Sequence, residues 1–488
     1  MFTPTLEEAK QLSAGHTILP MAMELLADRK TSVEILKNLQ NKSRYFFILE
    51  SVSQQESWGR YSFLGYSPSR LITCTDGVIT EHSSLTVKEQ QDMEPLTYLR
   101  SVLAQYSSPK IPGLPPFTGG LVGSFAYDLV KYVIPGLKLK AENQENFPDF
   151  TLMLVDRVIA FDHFKQKIYM IVNVETKNLE ENYIKGIATL KDMEQLLFES
   201  GGPEPESPRC GAFSPLYTEE EFSEKVERIR HHIREGDIFQ AVISNCFSAE
   251  CEGSLLQTYR ILRTTNPSPY MVYLHMDDME IVCASPETLV TLRDGTLSSY
   301  PLAGTRPRGT NEAEDRQLAK ELLSDPKELS EHDMLVDLAR NDLGKISDFG
   351  TVTVEEHRNI KRLAHVQHIA SRVTGKISPE MDALDAIAAT LPAGTLSGAP
   401  KKRACKIIDE LEGRKRGPYG GAMGYLDFTG NMDLCIGIRM AVLKNGKVSV
   451  QAGAGIVADS VAAREYEEIQ NKAKAVLTAL SAEREERI

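Results

Sequence analysis

Apolar positions recur with two different periods along this chain. Thr218 and Glu221 form a capping box, and Phe222, Val226, Ile229 and Ile233 follow at helical spacing until Gly236. The next run, Ile238–Phe247, reads as a strand. Nearer the N-terminus, Arg44–Glu50 and Thr151–Phe161 read as strands and Tyr183–Phe198 as a helix. Asp325 and Pro326 are suited to the N-cap and first turn of another helix, which carries Glu328 and Glu331. A last helix carries Glu465, Glu468 and Lys472 on one face. Asp294-Gly295 and Asn445-Gly446 sit between short apolar runs and predict hairpins. Hairpins make antiparallel sheets, so the fold class is α+β, with largely antiparallel sheets packed against helices.

The periodicity lapses from Glu199 to Pro215, where four prolines and several glycines mark a linker. This divides 488 residues into an N-terminal domain, 1–200, a linker, 201–216, and a C-terminal domain, 217–488. No repeat of solenoid length occurs.

Composition narrows the classes. The net charge of −13 includes no basic block or aromatic-plus-arginine stripe, which argues against nucleic acid. No apolar run approaches the length of a membrane span, and Met1–Gln11 has no apolar signal core. Seven cysteines include no CxxC pair, which fits a reducing cytoplasm better than a disulfide framework or structural zinc.

Two glycine-rich runs imitate nucleotide motifs. Gly453-Ala454-Gly455 begins a G-x-G-x-x-A match after a strand, but only one helix follows it, so a Rossmann unit is excluded. Pro392–Lys401 lacks the Walker A spacing. Both are expected to be turns at helix entries that offer backbone N–H groups to an anion. The i,i+3 pairs Glu328/Glu331 and Glu465/Glu468 could close around a hard cation that takes oxygen ligands, magnesium being the natural one.

Six ordered segments carry a family resemblance: PLAGTRPRG from 301, EHDMLVDLARNDLG from 331, PAGTLSGAPK from 392, PYGGAMGY from 418, QAGAGIVADS from 451 and REYEEIQNKA from 464. Together they resemble the chorismate-utilising enzymes, most closely the large-subunit family of anthranilate synthase, over nearly the whole chain. The resemblance implies magnesium held by Glu328, Glu331, Glu465 and Glu468. It implies that Gly304, Thr305, Thr395, Lys472 and the 453–455 segment (Gly453, Ala454, Gly455) surround the ring of chorismate and its carboxylate. Tyr419 and Arg439 would hold the enolpyruvyl carboxylate, a task suited to the planar arginine fork. His368 resembles the catalytic histidine, and Glu287 the general acid for the departing ring hydroxyl, which requires a raised pKa.

Within that family, Gln240 stands where water-adding members carry a basic lysine, and Ala303 where the aminodeoxychorismate branch carries one. A glutamine cannot deprotonate water, whereas ammonia is already a nucleophile. The implied reaction is ammonia attack at C2, loss of the 4-hydroxyl and elimination of pyruvate to give anthranilate. No Gly-x-Cys-x-Gly nucleophile turn is present, so the resemblance implies a separate glutamine amidotransferase subunit. Ile48–Ser51 and Asn266–Met271 resemble the family's tryptophan-binding segments. They imply an inhibitory site with Glu50 at the amino group and Ser51, Asn266, Pro267, Tyr270 and Met271 around it. The chain departs from the family at Asn245-Cys246, where a basic residue is usual, and at Val272 and Ile469.

Overall fold

Alternation of side chains along the strands places two sheets face to face. The computed structural model describes residues 2–51, 59–83, 86–199, 204–362 and 366–482. Ser200 and the first residues of the linker lie outside them. In strand Tyr45–Glu50, Phe47 and Leu49 enter the core between the sheets, while Phe46 and Ile48 enter a second core beneath outer helices. Phe222, Val226 and Ile229 of helix Glu219–Arg234 pack into that second core, as the helical stripe predicts.

Among the described residues, every pairing between strands is antiparallel, in one sheet of 14 strands and one of 12. Each sheet takes strands from both sides of the linker. The first joins across Tyr45–Glu50 and Tyr270–Met276, where Glu50 faces Met271. The second joins across Gly120–Phe125 and Ala422–Asp427.

Both predicted hairpins form, as Thr288–Arg293 with Thr296–Ser299 and as Met440–Lys444 with Lys447–Ile456. The run predicted as one strand, Thr151–Phe161, is two. Phe150–Val155 belongs to the second sheet and Arg157–Asp162 to the first, so the chain crosses between sheets at Asp156. The glycine segment at 453–455 is not a helix-entry turn. It continues strand Lys447–Ile456, and helix Ala462–Ser481 begins only later. The arginine segment after Pro301 is also a strand, Leu302–Pro307. Pro400 is the N-cap of helix Lys401–Glu412. Among the described residues, no helix is long and apolar enough to cross a membrane, which says nothing of a β-barrel.

Candidate active site

Two helix starts set out the carboxylates. Asp325 caps helix Pro326–Gly344 by accepting from the amides of Lys327 at 3.0 Å and Glu328 at 3.4 Å. Arg306 holds this end to its neighbouring strand, reaching Asp325 at 3.0 Å and Glu328 at 3.1 Å. On helix Ala462–Ser481, Lys472 pairs with Glu468 at 2.6 Å and donates to the Gly453 carbonyl at 2.9 Å.

The carboxylates of the two helices lie within electrostatic reach of one another. Burial raises the Glu331 carboxyl above its usual range, helped by repulsion from Glu328 on its own helix and Glu468 on the other. Burial and Glu468 also raise Glu465. Oxygen donors that repel one another suit magnesium, which would relieve that repulsion. Among the described residues, no three carboxylates, histidines or cysteines form a ready-made metal cluster. The donor set fits the ion in chemistry, with Arg306 and Lys472 occupying Glu328 and Glu468.

Glu287 lies between strands Met279–Ser285 and Thr288–Arg293. Its carboxyl accepts from Thr395 Oγ1 at 3.2 Å. Burial pushes it up to about 7, against the opposing pull of the Thr395 bond and the Lys472 charge. A carboxyl with that pKa is half protonated near neutrality and can act as an acid.

His368, on strand Val366–Lys376, has Nδ1 2.8 Å from the Gly304 carbonyl and 3.2 Å from Thr305 Oγ1. A carbonyl only accepts, so Nδ1 carries the proton and Nε2 is left basic. Burial lowers the pKa of the ring, with Arg439 and Lys361 adding to the effect, so it stays neutral. Gly304 has φ +64, and a Cβ there would lie 2.8 Å from Leu322 Cδ1 and 3.0 Å from Glu328 Oε2. Glycine therefore lets the backbone that holds His368 pass against the carboxylate helix.

The Arg439 side chain is half-buried, and its guanidinium makes no hydrogen bond or ion pair among the described residues; burial lowers its pKa, with the ionisable groups of Tyr419 and Glu468 opposing the shift. Such an arginine is ready for an anionic ligand. Tyr419 is buried, and its hydroxyl would lie 2.9 Å from a Cβ on Gly453. Gln240 is buried beside Gly455, where a Cβ would come 2.5 Å from its Nε2. The predicted site residues thus form a chain of neighbours from Glu287 through Lys472, Glu468 and Arg439 to His368. Ala454 is the exception, because strand parity buries its side chain in the outer core, away from Gly453 and Gly455.

Arg416 is a part of this region that motif reading missed. It is fully buried, donates to Leu396 O and Val242 O at 2.7 Å each, and pairs with Glu412. Glu412 in turn accepts from Ser244 N and Oγ. This clamp fixes the Thr395 turn to the strand that carries Gln240. Its one sequence signal is the i,i+4 spacing of Glu412 and Arg416 across the end of a helix.

The segments predicted to bind tryptophan surround a separate cavity of about 1040 Å³ between the sheets. Glu50, Ser51 and Tyr270 line it, with Val272 beside them. Met271 does not, because it points into the outer core, on the same face of the sheet as its register partner Glu50. Asn266 and Pro267 are also absent from the lining; Asn266 ends helix Leu256–Thr265. Glu50 is buried and already accepts from Ser32, Ser62, Tyr259 and Arg263. Burial pushes its pKa up, but Arg263 and the hydroxyls outweigh this and hold it below the usual range. Among the described residues, Ser51 Oγ is buried without a partner.

Residues 80–478 match the model of the chorismate binding enzymes. The chain belongs to that family. Anthranilate synthase component 1 of Acetivibrio thermocellus is 42% identical over 98% of this chain and 99% of its own length. The Pseudomonas aeruginosa protein of the same name is 44% identical over 97% and 98%. Among solved structures, anthranilate synthase component I of Streptococcus pneumoniae superimposes with a TM-score of 0.76 at 39% identity, covering 87% of this chain and 94% of that one. The menaquinone-specific isochorismate synthase of Escherichia coli shares the fold, with a TM-score of 0.71 at 19% identity and coverage of 98% and 99%. Proteins with different names therefore share this fold.

Proposed function

We propose that this chain converts chorismate and ammonia to anthranilate, pyruvate and water. The observation that carries the reading is Glu287, a half-buried carboxyl near its midpoint at neutral pH, hydrogen-bonded to Thr395 and within the field of Lys472. Arg439 and Tyr419 bind the enolpyruvyl carboxylate. Ammonia adds to C2 of the ring, the double bonds shift, and the bond from C4 to its hydroxyl breaks. Glu287 donates the proton that lets this hydroxyl leave as water. In the second stage the C2 proton is removed, the ether bond to the enolpyruvyl group breaks, and the ring becomes aromatic. Neutral His368 Nε2 takes that proton. Gln240 cannot deprotonate water, which disfavours a hydroxyl product. Magnesium, held by Glu328, Glu331, Glu465 and Glu468, supplies positive charge for the ring carboxylate.

Ammonia comes from a glutamine amidotransferase subunit, as the name "component 1" of the relatives suggests. The cavity between the sheets takes L-tryptophan as inhibitor. Its support is the Ser51 hydroxyl, unpartnered among the described residues, and the aromatic and apolar wall of Tyr270 and Val272.

The deciding experiment incubates purified chain with chorismate, magnesium and an ammonium salt, without partner protein, and identifies the product by fluorescence and mass. Anthranilate is expected. Isochorismate, salicylate or aminodeoxychorismate would overturn the assignment of the branch.

A further inference from the structure

Strand Thr353–Arg362 does not run straight beside Val366–Lys376. Its register shifts between Val354 and Glu356 and again between Glu356 and Asn359. Between these points Arg358 has φ +59, a conformation that residues with side chains seldom adopt. The bulge has two neighbours. On one side Glu356, Asn359 and Ile360 form part of the wall of the large cavity. On the other, Arg358 Nε lies 3.1 Å from Asp333 Oδ1, its Nη2 reaches Oδ2, and His357 Nε2 lies 3.1 Å from the same carboxylate. A second tie runs alongside. The Arg358 amide donates to Ser371 Oγ at 3.0 Å, and that hydroxyl lies 2.6 Å from Nε2 of the wholly buried His332. His332 and Asp333 directly follow Glu331 on helix Pro326–Gly344.

A bulge is where a ladder can change register with least loss of pairing, whereas a helix moves as a unit. We propose that this bulge transmits occupancy of the cavity to the carboxylate helix, so that a ligand pressing on Glu356–Ile360 shifts Glu328 and Glu331 through Asp333 and His332. The inference rests on the reading that the cavity takes tryptophan. It names the element whose two arrangements the two sites share, which is what coupling requires.

Coupling is reciprocal, so it is measurable by binding alone. Tryptophan affinity is measured by calorimetry with and without saturating chorismate, with magnesium present and ammonia omitted so that chorismate is not consumed. In the wild-type chain chorismate is expected to weaken tryptophan about tenfold or more. Arg358→Gly keeps the left-handed backbone and removes the guanidinium. It is expected to reduce that factor to about threefold or less, with tryptophan affinity in the absence of chorismate and ammonia-dependent turnover retained. Asp333→Arg should uncouple the sites in the same way, and the double variant Asp333→Arg/Arg358→Asp should restore coupling. A wild-type chain that binds no tryptophan overturns the reading of the cavity and the inference with it. A wild-type chain that couples, beside an Arg358→Gly chain that couples equally, overturns the inference alone.

Discussion

At the residue scale the proposed chemistry divides between an acid near its midpoint at neutral pH and a base kept neutral. Glu287 titrates near 7 and His368 below its ordinary value, both through burial. With free ammonia held constant, kcat/KM should fall as pH rises through about 7, because Glu287 loses the proton it must donate; the acid limb should lie below the usual histidine range. A profile flat to pH 9 would remove Glu287 from the role. Glu287→Gln keeps the shape and cannot protonate the leaving hydroxyl, so turnover should drop by about 10²–10⁴ with little change in chorismate affinity. Ser51→Phe should fill the space beside an unpartnered hydroxyl and abolish tryptophan inhibition, read from the inhibition curve, with uninhibited turnover preserved. Motif reading singled out these residues because their types are chemically specific. It misplaced Ala454 and Met271 because a residue's type does not state which face of a strand it occupies, and it overlooked Arg416 because a basic run before glycine reads as solvated surface.

At the element scale the site depends on joints between strands and helix ends. Arg416 and Glu412 are a fully buried pair that holds the Thr395 turn against the Gln240 strand. Arg416→Met would leave Glu412 buried without its partner and should cost about 3–5 kcal/mol, measured by urea unfolding. Unchanged stability would show that the clamp is dispensable. Capping boxes, hairpin turns and the carboxylate helix were legible because local sequence decides them. The glycine segment at 453–455 was not. Its glycines serve the close approach of Gln240 and Tyr419 rather than a turn, and only the neighbouring strand reveals that.

At the scale of the whole molecule, the linker divides the sequence but not the sheets. The antiparallel class was legible from its hairpins, while the sharing of strands across the linker rests on pairings between segments far apart in sequence. Cleavage within the linker should therefore leave one particle in gel filtration that unfolds in a single thermal transition; two separated transitions would argue for independent halves.

The join between Tyr45–Glu50 and Tyr270–Met276 has a further consequence during synthesis. The ribosome finishes the first of these strands more than two hundred residues before its partner emerges. At about 5–20 residues per second, its edge stays open for roughly 10 s or more. Gly120–Phe125 waits longer still for Ala422–Asp427. Nascent chains of this protein carry at least one such unmated, largely apolar edge through most of translation, a state that invites pairing with other chains and makes this enzyme a natural client for chaperones that shield unfinished sheets.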